Sequence, residues 1–342
     1  MKTRIAIIGC GFWAGYQVAA WHELPDAEIV AVCDQQPERA QALADRFGIA
    51  GVFSDVPTML DTVRPDLVDI ITTPETHAEN VRLAVARRIP VISQKPLTPS
   101  WTESNALVKE CQQAGVPLFV HENWRWQTPI RAGHQLLTDD AIGTPFRARF
   151  TFSHNFPVFD NQPNLKELTE MAIADVGVHL LDAARFLFGE AETVYALTNR
   201  ITPGIRGEDV ATILLRMRSG CQCILELSFA TEQERPSFPQ TMLHVEGTTG
   251  TLSLREGYEI AVSRAGHTRI HHAPPPTFAW ANPDYAVAHS SVYACHQNLL
   301  RAVRGEAPAE TTGPDNLETL RLAAAAYASA REGRAIRVKE FL

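Results

Sequence analysis

The chain has 342 residues, with 31 basic and 39 acidic side chains and a formal net charge of −8. Apolar residues make up 45% and charged residues 20%, a composition typical of folded domains rather than of disordered chains. A pI near 5.8 indicates no nucleic-acid partner. No apolar run reaches the roughly 18 residues that a membrane span needs. The length predicts about two domains.

Six cysteines in a chain of this length are too sparse for a disulfide scaffold. Reduced thiols therefore predict a cytoplasmic protein. Cys221 and Cys223 lie two positions apart, which on a strand puts both on one face. Because no second pair of cysteines or histidines stands at ligand spacing, we expect buried thiols and no metal site.

The N-terminus shows a strand, a glycine turn, a helix and a second strand in order. An apolar run at 5–8 predicts a buried strand, and a helical pattern then continues to His22. A second buried strand at 29–33 ends at Asp34, twenty residues beyond Ala14. This order and an acidic residue about 20 positions on are typical of a dinucleotide-binding unit.

Each residue of the turn has a physical task in that interpretation. Gly9 permits the tight turn, Gly11 lets a pyrophosphate approach the backbone, and Ala14 keeps the helix close to the strand. The Asp34 carboxylate can accept both adenosine ribose hydroxyls and would repel a 2′-phosphate, so NAD is favoured over NADP, although Arg39 keeps NADP open. The alternative is a glycine turn in another α/β fold. The predicted cofactor contacts here are Gly9, Gly11, Phe12, Trp13, Ala14 and Asp34.

Strands and helices continue to alternate through the first third of the chain. Strands are predicted at 67–71, 91–93 and 118–120, and helices at 37–47, 77–87 and 101–113, with residues 72–74 as a turn. This alternation predicts an α/β domain at 1–122, a Rossmann-type doubly wound parallel sheet. Such sheets bind ligands at the carboxyl ends of their strands. The residues expected there are Thr73, Pro74, Gln94, Lys95, Pro96, His121, Glu122 and Asn123.

The second part, 123–342, is predicted to be an α+β domain with a large open, mainly antiparallel sheet. From 145 onward strands dominate with a period of two. Ser219-Gly220 is a hairpin-type turn, and helical tracts at 290–304 and 317–331 come near the end. Helices on one face of a sheet leave the other face uncovered, so we expect a homo-oligomer.

Two groups of residues can carry chemistry. Lys95, at a strand end, can hold a substrate oxygen and stabilise negative charge; the alternative is a solvated loop lysine. Asp175 and His179 stand four apart at the start of an apolar helix that runs to 188, so both can reach one ligand. Asp182 could orient His179. The alternative is a capping aspartate and a packed histidine.

Residues near the predicted domain boundary are candidates for substrate contact. Trp124 could stack on a sugar ring or wedge the domains together, and Arg125 could bind an acidic substrate or form a structural ion pair. His154 and Asn155, which follow the strand at 147–153, are further candidates for the sugar site.

The whole chain resembles the family named after glucose–fructose oxidoreductase, inositol dehydrogenase and MocA. The resemblance rests on the glycine turn, Thr73-Pro74 with His77, Lys95-Pro96, Asn123 with Arg125, Asp175-x-x-x-His179 and a C-terminal motif at 325–334. It implies a Rossmann domain followed by an open antiparallel α/β domain, a dimer or tetramer, and oxidation of a sugar or polyol hydroxyl or the reverse reduction.

By that resemblance Lys95, Asp175 and His179 match the catalytic positions, and Lys95 also contacts the nicotinamide ribose. His77, Gln94 and Asn123 are cofactor-binding positions in the same sense. The family's usual Glu-Lys-Pro is Gln94-Lys95-Pro96 here, which removes a carboxylate beside the lysine.

The tract at 122–130 also resembles dehydrogenases of branched aldoses such as apiose. Two other functions stay open: a glycosidase that keeps NAD bound and oxidises its sugar transiently, and a nicotinamide-binding sensor without turnover.

Overall fold

The computed structural model describes residues 1–234 and 238–341, without the side chain of Asn161. The chain forms two compact units. The first contains residues 1–123, 278–282 and 289–318, and the second contains 124–277, 283–288 and 319–342. No helix in the described part of the chain is long and apolar enough to cross a membrane.

The first unit is built on a six-stranded parallel sheet. Its strands are β1 (Thr3–Ile8), β2 (Ala27–Cys33), β3 (Gly51–Phe53), β4 (Leu67–Ile70), β5 (Val91–Gln94) and β6 (Leu118–His121). Its helices are α1 (Ala14–His22), α2 (Pro37–Phe47), α3 (Val56–Val63), α4 (Pro74–Val85) and α5 (Trp101–Ala114). The strand order β3-β2-β1-β4-β5-β6 is the doubly wound order, with its switch point between β1 and β4. The predicted Rossmann-type sheet is confirmed.

Local signals in the sequence fix most of these elements. Helix α2 begins with Pro37 and ends at Gly48, whose φ of +68° is the left-handed conformation that stops a helix. Ser100 caps α5 by accepting the backbone N–H of Glu103. Residues that start, cap or end helices therefore support the alternation of strands and helices that the sequence predicts.

The first unit differs from the sequence-based prediction in two places. The short strand β3 and the helix α3 were not predicted, because three strand residues and a helix of eight carry too little periodicity. Pro74 was predicted to lie in a turn, and that was wrong, since it is the first residue of α4. Proline suits a turn and a first helical position equally well because neither needs its missing N–H.

The second unit is built on a nine-stranded sheet in the described part of the chain. Its strands are β7 (Pro145–Ser153), β8 (Ala191–Asn199), β9 (Val210–Met217), β10 (Gln222–Ser228), β11 (Met242–Gly247), β12 (Gly250–Arg255), β13 (Glu259–Arg264), β14 (His267–His272) and β15 (Ile336–Arg337). The order is β14-β13-β12-β11-β7-β10-β9-β8-β15. Only the pairing of β7 with β10 is parallel among the pairs described, so the predicted mainly antiparallel sheet is confirmed.

Helices pack against this sheet, and α6 (Thr128–Thr138), α7 (Val158–Asn161), α8 (Val178–Phe188) and α10 (Gly313–Glu332) contribute side chains to its core. Helix α9 (Ala286–Val303) and α10 each contribute residues to both units. The core forms from the inward side chains of the strands; on β9, Ala211, Ile213, Leu215 and Met217 alternate with outward neighbours. The outward face keeps apolar side chains exposed, among them Leu197, Leu214 and Ile270.

The start of α8 is not the regular helix that the sequence predicts. Residues Ile173–Gly177 form a π-helical turn before α8 begins at Val178. In a π turn the backbone hydrogen bonds run five residues along instead of four. Asp175 therefore lies in the π turn and His179 in the first turn of α8.

Candidate functional site

The glycine turn after β1 is held against the end of β4. Gly9 has a φ of +96°, and a Cβ there would lie 2.8 Å from backbone atoms of Ile71 and Thr72. Only glycine fits this position. A Cβ on Gly11 would meet no atom within 4 Å, so the backbone at Gly11 borders open space. The first glycine therefore closes the turn, and the second leaves room for a ligand.

Helix α1 starts directly beyond this turn with no capping side chain among the described residues. Its first backbone N–H groups are therefore suited to hold an anion. Asp34, at the end of β2, accepts hydrogen bonds of 2.8 Å from the backbone N–H groups of Cys10 and Gln36. These bonds fix the carboxylate beside the glycine turn, as binding of an adenosine ribose requires.

An aromatic cluster flanks the start of α1. Phe12 is exposed, and its ring meets the edge of Tyr16. Trp13 also contacts Tyr16, which stacks on His289 with ring centroids 4.1 Å apart. Burial lowers the pKa of His289 to about 4, so this imidazole is neutral at pH 7. The cluster borders the turn with aromatic rings set at different angles to one another.

His77 ties two strand ends together. Its Nδ1 lies 3.0 Å from the carbonyl oxygen of Pro96 and 3.2 Å from that of Leu97, and its Nε2 lies 3.1 Å from that of Thr72. Burial lowers the pKa of His77, although these three carbonyls act in the opposite direction. The histidine therefore links the segment after β5 to the segment after β4, where Thr73 and Pro74 begin α4.

Lys95 follows directly after β5 and is partly buried. Its backbone N–H donates to Oε1 of Gln94 at 3.1 Å. Asn123, beyond β6, donates from Nδ2 to the Ser291 hydroxyl at 2.7 Å. The structure thus places Lys95, Gln94 and Asn123 at the carboxyl edge of the same sheet as the glycine turn.

In the second unit, His179 lies against an aromatic ring. It is buried and stacks on Trp124 with ring centroids 4.6 Å apart and planes 12° from parallel. The Trp124 indole N–H donates to the Thr241 hydroxyl at 2.9 Å, and the ring meets Phe152 edge-on. These contacts fix the plane of the Trp124 ring and, through it, that of the His179 imidazole.

The π-helical turn that carries Asp175 is held from below by two buried side chains. Glu208 accepts from the backbone N–H groups of Met171, at 3.1 Å, and Ile173, at 3.0 Å. The Tyr327 hydroxyl donates to Glu208 at 2.8 Å and accepts the N–H of Ala174 at 2.9 Å. Burial and the neighbouring Glu208 charge raise the pKa of Tyr327, so its hydroxyl stays protonated. The wide turn is therefore a supported conformation.

His154 lies within electrostatic reach of Asp175. Burial lowers the pKa of His154 to about 4, with Asp175 acting in the opposite direction. Its Nδ1 accepts the backbone N–H of Phe156 at 3.1 Å, while its buried Nε2 has no hydrogen-bond partner among the described residues. Asn155 is exposed and donates to Glu232 at 2.8 Å. In this unit Trp124, His179, Asp175 and His154 therefore form one neighbourhood.

Arg125 and Asp182 form a buried ion pair beneath α8. The Arg125 Nε donates to Asp182 at 2.7 Å, and a second guanidinium nitrogen bonds the other carboxylate oxygen. Thr319 donates to the same carboxylate at 3.1 Å and accepts from Arg185 at 2.7 Å. Of the two sequence interpretations of Arg125, this geometry favours the structural ion pair. Asp182 bonds Arg125 and Thr319.

Sequence analysis missed three residues that support the site. Asp69, on β4, and Gln17, on α1, are fully buried and hydrogen-bonded to each other, and Glu208 holds the π turn. Asp69 had a signal, since a lone acid inside the apolar strand run at 67–71 has to find hydrogen-bond donors. Glu208 carried none, because its partners, two backbone N–H groups and the Tyr327 hydroxyl, lie more than thirty residues away in the sequence.

Two family models match the chain. One, of an oxidoreductase family with an NAD-binding Rossmann fold (GFO_IDH_MocA), matches residues 3–122. The other, of the GFO/IDH/MocA C-terminal domain, matches residues 130–253.

Among curated proteins, the chain is 42% identical to a D-apiose dehydrogenase of Paraburkholderia graminis, over 99% of this chain and 90% of that protein. It is 40% identical to a D-apiose dehydrogenase of Rhizobium rhizogenes, over 100% of this chain and 99% of that protein. A solved oxidoreductase from Agrobacterium radiobacter, in complex with NAD+, L-tartaric acid and magnesium, is 40% identical and covers 100% of both chains with a TM-score of 0.98.

Proposed function

We propose that this chain, which belongs to the GFO/IDH/MocA family of oxidoreductases with an NAD-binding Rossmann fold, has D-apiose as its sugar substrate. The protein is an NAD-dependent sugar dehydrogenase. The observation that carries the finer proposal is identity of 42% and 40% to two D-apiose dehydrogenases over nearly their whole lengths. No observation favours the transient-oxidation glycosidase or the sensor.

The residues of the first unit fit NAD. Gly9 closes the turn, Gly11 borders open space, and α1 begins with no capping side chain among the described residues. We assign the pyrophosphate to these N–H groups and the adenosine ribose to Asp34, whose negative charge disfavours a 2′-phosphate. When bound, NAD+ would supply the acceptor for the hydride that leaves the carbon carrying the reacting hydroxyl.

We assign the proton chemistry to the second unit. His179 takes the hydroxyl proton on its imidazole as the C–H bond breaks, and the packing against Trp124 holds that ring in one orientation. Asp175 accepts a hydrogen bond from the substrate. The oxygen of the reacting hydroxyl bears growing negative charge until the carbonyl forms, and we assign Lys95 to stabilise that charge. The alcohol loses one hydride and one proton in total and becomes the carbonyl product.

Two further side chains are proposed to contact the sugar. His154 is neutral at pH 7 because burial lowers its pKa to about 4. Since its Nδ1 accepts the Phe156 N–H, its Nε2 carries the proton and can donate to a sugar hydroxyl. Asn155 is exposed beside it. Trp124 contributes its ring. We assign Arg125 to anchoring α8 through Asp182 rather than to substrate.

Replacement of His179 tests this assignment. We expect His179→Ala to lower kcat for NADH formation by roughly 10² to 10⁴ while the NAD Kd stays within about twofold. His271→Ala, a change on the exposed strand β14, is the matched control and should leave both unchanged. Unchanged turnover in His179→Ala would remove His179 from the mechanism.

The partner and compartment are also proposals. We propose a homodimer or homotetramer that covers the outward sheet face, where Leu197, Leu214 and Ile270 are exposed. Light scattering on the purified protein tests it, and a monomer at micromolar concentration would contradict it. We propose a reducing, cytoplasmic location because the cysteines of the described chain are free and buried.

A further inference from the structure

A chain of buried hydrogen bonds leads from the backbone of Lys95 into the first unit. The Lys95 N–H donates to Oε1 of Gln94 at 3.1 Å. The Gln94 amide nitrogen donates to Oε1 of Gln17 and lies 3.3 Å from Nδ1 of His121. The Gln17 amide nitrogen donates to Oδ2 of Asp69 at 3.1 Å. Gln17 and Asp69 are fully buried, and Gln94 is 8% exposed.

All bonds of this chain point in one direction. Each amide turns its oxygen toward Lys95 and its nitrogen toward Asp69. The order is fixed at its inner end, because Oδ2 of Asp69 accepts from both the Gln17 amide nitrogen and the Trp21 indole N–H. If the Gln17 amide were turned over, its oxygen would face the oxygens of Asp69. A carboxylate at position 94 would in turn face the oxygen of Gln17.

The inner end of the chain is itself held. Asp69 lies on β4, paired with Ile7 of β1 and Ile92 of β5. The Trp21 indole N–H donates to it at 2.8 Å, and His296 Nε2 lies 3.7 Å away. These contacts leave the carboxylate one position, so the acceptor at the inner end is fixed in space.

The titratable group nearest to Asp69 carries no positive charge at pH 7. His296 is the imidazole nearest to it; burial, together with His121, lowers the pKa of His296, so it is neutral at pH 7. Burial raises the pKa of Asp69 to about 7, and the bonds from Trp21 and Gln17 oppose that rise. Hydrogen bonds from Trp21 and Gln17, and not an ion pair, therefore stabilise the carboxylate of Asp69.

We propose that Asp69, Gln17 and Gln94 are positioning residues for the dehydrogenase reaction, a polarised relay that fixes the backbone of Lys95 from the centre of the sheet. The inference rests on the proposed role of Lys95. It assigns to Gln94 a requirement for an amide, since only a group that accepts on one side and donates on the other continues the relay.

The test is to reverse the polarity of the relay in the full-length protein. In Gln94→Glu the ionised carboxylate opposes the oxygen of Gln17. In the double variant Asp69→Asn with Gln94→Glu, the new amide at position 69 donates to the oxygen of a turned-over Gln17, whose nitrogen donates to the carboxylate at position 94. The two side-chain bonds are restored with the opposite direction, and the Lys95 N–H still donates to position 94.

The readouts are kcat and KM for NADH formation from D-apiose between about pH 5.5 and 9. Over this range we expect the buried carboxyl group introduced at position 94 to change from protonated to ionised. We expect kcat of Gln94→Glu to fall about 10- to 100-fold as pH rises, because the introduced carboxyl group donates as an amide does when it is protonated and cannot donate once it is ionised. KM for the sugar should change less than about threefold. At high pH, kcat of the double variant should exceed that of Gln94→Glu by at least about tenfold.

If the decrease in kcat of the double variant equals the product of the decreases in the two single variants, the relay is refuted. Recovery of thermal stability without recovery of kcat would also refute it. Gln94→Met removes the bonds without burying a charge and keeps the test open if Gln94→Glu does not fold. Here we expect kcat to fall at least about fivefold, and an unchanged kcat would overturn the proposal. Lys95→Ala tests the proposed function separately, since an unchanged kcat there would refute the role of Lys95, whatever the relay variants do.

Discussion

The ion pair of Arg125 and Asp182 should be a main anchor of α8, the helix that carries His179. Asp182 is fully buried, and the Arg125 side chain is 6% exposed. Asp182→Asn keeps the shape of the side chain and removes its charge, so the buried Arg125 guanidinium would lose the carboxylate charge that it bonds directly. Removing one member of a buried pair costs about 3–5 kcal/mol.

An exposed pair of similar geometry supplies the control. Arg147 and Glu246 are 2.7 Å apart, but their side chains are 53% and 26% exposed. Glu246→Gln should therefore cost only about 0–1 kcal/mol. With about 2–4 °C of Tm per kcal/mol for a unit of this size, Asp182→Asn should lower Tm by about 6–20 °C and Glu246→Gln by about 0–4 °C.

Thermal unfolding of both variants, followed by fluorescence at fixed pH and protein concentration, measures the difference. The double variant Arg125→Met with Asp182→Leu should recover more than half of the lost Tm, because no buried charge is left unpaired. Equal, small shifts in Asp182→Asn and Glu246→Gln would refute the reasoning from burial.

Three further predictions concern the first unit. Gly9→Ala should destabilise the protein by about 2–4 kcal/mol in urea unfolding because its Cβ meets backbone, whereas Gly11→Ala should leave stability unchanged and weaken NAD binding at least about tenfold by calorimetry. Asp34→Ser should raise the NAD Kd about 10- to 100-fold and lower the ratio of the NADP Kd to the NAD Kd. An unchanged ratio would contradict the assignment of Asp34 to the adenosine ribose. Because burial raises the pKa of Asp69 to about 7, folded protein keeps a proton that the unfolded chain releases from about pH 4. The unfolding free energy of the wild type relative to Asp69→Asn should therefore fall by up to about 1.4 kcal/mol per unit as pH rises from about 4 to 7, and a flat difference would count against that shift.

The sequence predicts the fold where local and global signals agree. The strand at 5–8, the glycine turn and Asp34 stand in an order that few other folds require, and the sheet around them is confirmed. The alternation on β9 is equally legible, because one face of that strand is buried and the other is not.

The parts that sequence reasoning could not supply depend on contacts between distant residues. The π turn at Ile173–Gly177 has an ordinary helical composition, and it is the buried Glu208 and Tyr327 that support it. Similarly, residues 17, 69 and 94 come from three different elements, and no spacing in the sequence relates them. Periodicity reports which face of an element is buried, but not which buried polar groups meet.

The central claim is that the protein oxidises D-apiose with NAD. Its most direct test is the rate of NADH formation when the purified protein and NAD+ are mixed with D-apiose, D-xylose, D-glucose or myo-inositol in parallel. We expect kcat/KM for D-apiose to exceed that for each of the others by at least about tenfold. Preference for another of these sugars would contradict the substrate assignment, and a flat trace with every sugar despite measured NAD binding would contradict the dehydrogenase itself.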